Sequence, residues 1–177
     1  MANKHRIETL ITAKQIEDRV SEMAAQINKD YEGKSILLMG TLKGAYVLTA
    51  DLSRKLTCPT EIDFLKVSSY GDSTSPIAQV AFDHRPSMVL SGKHVLLVED
   101  IIDTGHTLAY LRKFLSDQNP ASVKVCALLD KPSRREAELP PSEYVGFPIP
   151  DKFVVGYGLD YAQRYRNLPY IGEVVFE

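Results

Sequence analysis

The chain lacks any excess of positive charge. Its 21 Lys and Arg stand against 23 Asp and Glu, a net charge of −2, and no strongly basic run interrupts it. Dedicated nucleic-acid binders carry a basic footprint, so that class is set aside. Cysteine is scarce as well. Cys58 and Cys126 lie in separate apolar contexts, without CxxC spacing or a paired histidine. That excludes a zinc site or a disulfide framework and leaves two reduced core thiols. No apolar run reaches the roughly 18 residues of a membrane span, and no signal-peptide pattern opens the chain, so a cytoplasmic protein is expected. Internal repeats and low-complexity segments are missing too. What remains is ordinary for a globular protein, 44% hydrophobic and 25% charged over 177 residues. The length suits one domain with a sizeable core, with or without a small appendage.

One stretch organises the rest. Val95 to Val98 are apolar and run into adjacent acids, Glu99 and Asp100. Ile101 and Ile102 follow, then Asp103-Thr104-Gly105-His106-Thr107. Leu108, Leu111, Phe114 and Leu115 then recur at helical spacing. The pattern predicts a buried strand, a polar loop and a helix start, and open α/β sheets bind ligands at the carboxyl ends of their strands. Thr104 and Thr107 offer hydroxyls, Gly105 a tight turn, and the helix start free N–H groups, a combination that suits a phosphate. Glu99 and Asp100 are acceptor-only groups that suit a sugar diol, a hard cation such as Mg²⁺, or both. Asp103 stands where a general base would be useful, although it or Thr104 could merely cap the helix.

Similar strand–loop–helix units surround this one. Thr12 and Gln15 form a capping box, and Ile16, Val20, Met23, Ala24 and Ile27 predict a helix over 13–29. Residues 1–11 suggest only a short arm. Ser35 to Gly40 predicts a buried strand, and Ala45 to Leu56 a helix. Lys43 and Gly44 lie between them in a loop that suits an anion, or simply carries a solvated lysine. Glu61 to Ser69 predicts a strand, followed by a small, polar loop through Pro76. The 108–115 helix should end before Pro120. Val123 to Leu129 predicts another strand, ending in Asp130-Lys131-Pro132-Ser133-Arg134-Arg135. Four prolines in 139–150 predict irregular or extended chain, and His84 looks like a surface residue. Phe153-Val154-Val155 could be core, or Phe153 could stack on a flat heteroaromatic base. Glu173 to Glu177 predicts a last strand. Alternation of strands and helices over 13–130 predicts an α/β protein with a parallel sheet.

Glu99-Asp100-Ile101-Ile102-Asp103-Thr104-Gly105-His106-Thr107 resembles the phosphoribosyl-pyrophosphate (PRPP) motif of type I phosphoribosyltransferases, in its hypoxanthine-guanine branch. Leu42-Lys43-Gly44 is similar to the family's pyrophosphate loop, where the Leu–Lys bond can be cis. Lys152-Phe153-Val154 through Asp160 and Arg166 is similar to its purine-binding segment. The resemblance spans nearly the whole chain. It implies the type I fold, a central parallel sheet flanked by helices, with a small hood (the N-terminal arm and residues 131–177) and a mobile lid marked by Ser69 and Tyr70. A lid would shield a cationic sugar from water. Residues 82–86 depart from the family's usual pattern there. The implied reaction transfers the 5-phosphoribosyl group from PRPP to N9 of hypoxanthine or guanine, releasing pyrophosphate.

By the same resemblance, Glu99, Asp100, Asp103, Thr104, Gly105, His106 and Thr107 hold ribose and 5′-phosphate. Lys43, Gly44 and Arg166 hold pyrophosphate. Lys131, Lys152, Phe153, Val154 and Asp160 serve the purine side, with Lys131 on O6. Glu99, Asp100 and Asp160 serve Mg²⁺, and Asp103 is the general base at N7. Gln163, Arg164 and Tyr165 vary freely in such proteins. A homodimer or homotetramer is implied, with neither nucleic acid nor membrane as partner. Two alternatives stay open. One is an enzyme preferring xanthine; adenine, which lacks O6, fits Lys131 poorly. The other is a PRPP-sensing regulator, against which the absence of an added DNA-binding segment counts.

Overall fold

The computed structural model describes residues 4–70 and 79–176. The chain opens on β1 (His5–Ile11) and enters α1 (Ala13–Asp30). Thr12 and Gln15 form the expected capping box, which satisfies orphan N–H groups at the helix start. Then come β2 (Ile36–Thr41), α2 (Tyr46–Ser53), β3 (Thr60–Tyr70), β4 (Gln79–His84), β5 (His94–Ile102) and α3 (His106–Ser116). The chain closes with β6 (Ser122–Asp130), β7 (Tyr144–Pro148), β8 (Val154–Val155) and β9 (Ile171–Phe176).

Six strands form the main sheet in the order β4-β3-β2-β5-β6-β7. All its pairings are parallel except β3 with β4. Alternation along the central strands sends side chains to two separate cores. Leu38, Leu96 and Leu128 pack with Ile16, Val20, Met23 and Ile27 of α1 and Leu48 and Leu52 of α2. Leu37, Met39, Val95, Leu97, Val125 and Ala127 face Leu108, Leu111 and Leu115 of α3. Burying each such leucine contributes roughly 1.5–3 kcal/mol, so the two faces fix the strand register. β1, β9 and β8 form a second, antiparallel sheet.

One feature differs from the sequence expectations, and three more sharpen them. Residues 5–11 are a strand paired along β9, not a loose arm. Their burial alternates weakly, with one fully buried residue, because they cover a small sheet. The proline-rich stretch contains β7, whose edge position and terminal Pro148 make few demands on backbone donors. Tyr144 is buried there, and its hydroxyl donates to Asp30 at the end of α1 at 2.6 Å. β4 lies in the stretch that departs from the family pattern. Phe82 packs on Phe114 of α3, with ring centroids 4.4 Å apart, and Arg85 sits 5.0 Å over the Phe82 ring. Finally, β5 continues through Glu99, Asp100, Ile101 and Ile102, so both acids stand near the strand end, as expected, and the loop begins only at Asp103. Within the expected lid, Ser69 and Tyr70 end β3 and pair with Val80 and Gln79 of β4. The rest of that stretch, residues 71–76, lies outside the described residues.

Candidate active site

β2 and β5 are neighbours, but their following helices pack on opposite faces of the sheet. The loops after them therefore part at the carboxyl ends of adjacent strands, the crevice where open α/β sheets bind ligands. A pocket of about 340 Å³ opens there. It gathers Lys43 and Gly44 from one loop, Glu99 through Gly105 and Thr107 from the next, and Asp160 and Arg166 from beyond β8.

The floor is an anion cradle. Gly105 caps α3 in the left-handed region (φ +92°), with no side-chain cap on the helix. Arg135 donates to the Asp103 carbonyl at 2.8 Å, and the Glu136 and Ala137 N–H groups donate to the Thr104 carbonyl at 3.0 and 3.1 Å. In a trans peptide the N–H points opposite to its C=O. Tying these two carbonyls to residues 135–137 turns the Thr104 and Gly105 N–H groups the other way. They join the open donors of the helix start, a site of partial positive charge.

The acids form one wall. Glu99 is buried, and its Oε1 has no hydrogen-bond partner among the described residues. Burial first, and the Asp100 charge second, push its carboxyl up to about 8. Asp100 is also raised, by burial first, with the Asp160 charge adding to it. Its Ile101 N–H bond and the Arg166 charge work against that rise. Glu99 in particular is a carboxylate short of positive charge and of donors.

The opposite wall brings backbones into close approach. The Leu42–Lys43 peptide is cis. A Cβ on Gly44 would lie 1.5 Å from Asp100 Oδ2, and one on Gly158 would lie 2.0 Å from the Gly44 carbonyl oxygen. Only glycine permits this, and Gly158 also takes φ +105°. Tyr157 locks the arrangement from behind, its hydroxyl donating to Asp51 of α2 at 2.7 Å. Arg166 donates to the Gly158 carbonyl at 2.7 Å and pairs with Asp160 at 2.6 Å.

Beside the pocket, Lys131 is buried at the end of β6. Its ammonium lies 3.2 Å from Asp151 and 3.9 Å from Asp103. Arg134 closes the ring, 3.1 Å from Asp103 and 3.8 Å from Asp151. The two cations and two carboxylates compensate each other, which is what a nearly buried ammonium requires. Phe153, two residues after Asp151, stands half exposed, with Tyr161 edge-on at 5.5 Å. A half-exposed flat ring can stack on a planar heterocycle, and a fixed ammonium can donate to a carbonyl on one.

A family model for the phosphoribosyl transferase domain matches residues 7–162. The chain belongs to the phosphoribosyl transferase family. It is 49% identical to the hypoxanthine phosphoribosyltransferase of Haemophilus influenzae over 177 residues, covering 98% of each chain. It is 45% identical to the hypoxanthine-guanine phosphoribosyltransferase of Bacillus subtilis, covering 96% of this chain and 94% of that one. A crystal structure of a Bacillus anthracis hypoxanthine-guanine phosphoribosyltransferase superposes with a TM-score of 0.92 at 45% identity. The match covers 97% of this chain and all of that one.

For this phosphoribosyl transferase, most residues singled out from the sequence meet in or beside one pocket. Three side chains stand apart. The His106 imidazole turns outward to Glu136 at 3.1 Å. Lys152 pairs with Glu173 of β9 instead of facing the pocket. The Val154 side chain is buried in the small sheet, and the contact expected of this residue runs through its backbone. Nor do Glu99, Asp100 and Asp160 form a joint metal cage, because no three acidic, His or Cys side chains converge in that way among the described residues. Adjacent strand residues point to opposite faces, which keeps Glu99 and Asp100 apart. The donor set still fits Mg²⁺ in another form. Asp100 and Asp160 sense each other's charge, and Glu99 has an orphaned oxygen behind them. Mg²⁺ is commonly held by one or two carboxylates together with substrate phosphates.

Sequence reasoning missed Asp151 and Arg134, which complete the ring around Asp103 and Lys131, and Gln163, which touches both Lys43 and Arg166. Their only signal was proximity to a motif. A larger cleft of about 720 Å³, lined by Ile16, Val20, Tyr46, Val47 and Tyr157, shares only Arg166 with the pocket. Its mainly apolar walls offer no phosphate cradle.

Among the described residues no helix is long and apolar enough to cross a membrane. Both cysteines are unpaired, and burial pushes the Cys126 thiol up to about 12.

Proposed function

We propose that the protein is a purine-salvage enzyme that transfers the 5-phosphoribosyl group of PRPP to N9 of a 6-oxopurine, hypoxanthine first. The products are the nucleoside monophosphate and pyrophosphate. One observation carries the reading: the anion cradle, the cations Lys43 and Arg166 and a wall of acids line a single crevice, and Lys131 lies 3.9 Å from Asp103 at its edge. The names of the close relatives support it.

The Thr104–Thr107 turn takes the 5′-phosphate through backbone donors and the helix start. Glu99 and Asp100 accept the ribose hydroxyls. The buried Glu99 oxygen without a partner favours a ligand that brings O–H donors. Lys43 and Arg166 bind the pyrophosphate and stabilise the charge that develops as the C1′–O bond breaks. When bound, Mg²⁺ offsets charge on that leaving group, held by Asp100 and Asp160 with Glu99 behind. Phe153 stacks on the base, and Lys131 donates to O6. Asp103 takes the N7 proton as the N9–C1′ bond forms. The small antiparallel sheet serves as the hood on the purine side. The assembly is a homodimer or homotetramer, which sedimentation equilibrium reads directly.

Hypoxanthine, guanine and xanthine are each supplied with PRPP and Mg²⁺, and pyrophosphate release is followed. Hypoxanthine should turn over fastest. Fastest release with xanthine would overturn the choice of base. PRPP binding without pyrophosphate release from any purine would leave a PRPP sensor in place of an enzyme.

A further inference from the structure

Gln163 lies in the loop between Asp160 and Arg166, at a position the family resemblance leaves free to vary. The structure gives it a definite place. Its Oε1 accepts from the Lys43 ammonium at 3.1 Å and faces the Arg166 guanidinium at 3.4 Å. Both neighbours are obligate donors, so only the carbonyl end of the carboxamide can face them. Its own N–H donates to Asp160 at 2.8 Å, and Asp160 in turn pairs with Arg166. The loop is held in costly geometry. Ala162, Gln163 and Tyr165, none of them glycine, take positive φ of 51°, 64° and 75°. Backbone strain of this kind persists where surrounding contacts over-determine it, and it clusters at functional sites.

We infer that the Gln163 carboxamide oxygen is a neutral stand-in for a pyrophosphate oxygen. In the free enzyme it holds Lys43 and Arg166 converged, and it yields that place to the pyrophosphate of PRPP. Neutrality is the point of the design. Among the described residues this one hydrogen bond holds the Lys43 ammonium. A carboxylate here would hold both cations more strongly, because charge-assisted hydrogen bonds are about twice as strong as neutral ones. It would then compete with the incoming anion. A side chain with no acceptor would leave Lys43 to wander, and ordering it would weaken binding. Gln163 is therefore a positioning residue of the pyrophosphate subsite, and the inference rests on that assignment of Lys43 and Arg166.

The test compares wild type with Gln163→Glu and Gln163→Met. It reads KM for PRPP, inhibition by inorganic pyrophosphate, KM for hypoxanthine, and Tm. Gln163→Glu should raise the first two together by about tenfold. The penalty should shrink as salt rises from about 0.05 to about 0.5 M, because the added ion pairs are exposed and screened. Gln163→Met should raise the same two constants by about threefold, without salt dependence beyond that of wild type. KM for hypoxanthine and Tm should stay at wild-type values in both, which a merely structural role would not predict. Wild-type PRPP and pyrophosphate constants in Gln163→Glu overturn the inference, as does an equal rise in KM for hypoxanthine. Should Gln163→Glu not fold, Gln163→Met decides in the same way. Lys43→Ala and Arg166→Ala separate the two levels. If they leave PRPP affinity unchanged, the pyrophosphate assignment itself falls. If they lose it while the Gln163 variants do not, only the role of Gln163 falls.

Discussion

Replacing Gly44 by alanine tests the closest approach in the pocket. The new Cβ would stand 1.5 Å from Asp100 Oδ2 and 2.3 Å from its Cγ. Ordinary van der Waals contact begins at 3.4 Å, so the carboxylate must retreat by about 2 Å. It can, because the atoms struck belong to a side chain at the end of β5. The cost therefore falls on ligand geometry and not on the fold. A misplacement of about 1 Å can cost roughly 10²-fold in rate, so kcat/KM for PRPP should fall by at least about 10²-fold. Tm should stay within about 2 °C of wild type. Gly158→Ala is the contrast. Its Cβ would strike the Gly44 carbonyl oxygen at 2.0 Å, and its φ is +105°. Neither obstacle can rotate away, so strain of roughly 1–3 kcal/mol should lower Tm by about 2–10 °C. Initial-rate kinetics with varied PRPP and a thermal melt read both variants. Normal turnover in Gly44→Ala, or a Tm loss equal to that of Gly158→Ala, would refute the reasoning.

Asp103→Asn keeps the shape that meets Arg134 at 3.1 Å but removes the proposed base. Turnover should fall roughly 10²–10⁴-fold with PRPP still bound, by stopped-flow and equilibrium binding, and near-normal turnover would sink the role. Lys131→Ala should weaken the purine more than PRPP in paired titrations, and an equal loss would argue against recognition of O6. Asp63 bears on stability alone. Burial tends to raise its carboxyl, but the Met88, Phe64 and Ser87 N–H groups outweigh that and hold it below the usual 3.8. A folded-state value below the unfolded one gives stability that is fully present above about pH 3.8. It is lost as pH falls through the folded value. Asp63→Asn should therefore cost roughly 2 kcal/mol at pH 7, a Tm drop of about 4–8 °C, narrowing toward pH 3. A deficit that does not change with pH would refute the charge as its source.

Elements with strong local signals were legible along the chain. Thr12 and Gln15 marked the start of α1, and the apolar runs of β2, β5 and β6 marked a parallel sheet. The acids of 99–103 and the turn at 104–107 pointed to the proposed ribose-phosphate site, because chain-adjacent residues carry that chemistry together. Weak or long-range signals were lost. β1 is too polar to be read without β9 beside it, and the prolines hid β7. Tertiary structure alone decided how the loops met. It set Gly44 against Asp100, 56 positions along the chain, and Lys131 against Asp151. It placed Gln163 between Lys43 and Arg166 and turned the Lys152 side chain away to Glu173. Residue types and their spacing fix what a side chain can do. Which group it faces depends on strand order and on which face each helix covers, and neither is written in any local stretch of the chain.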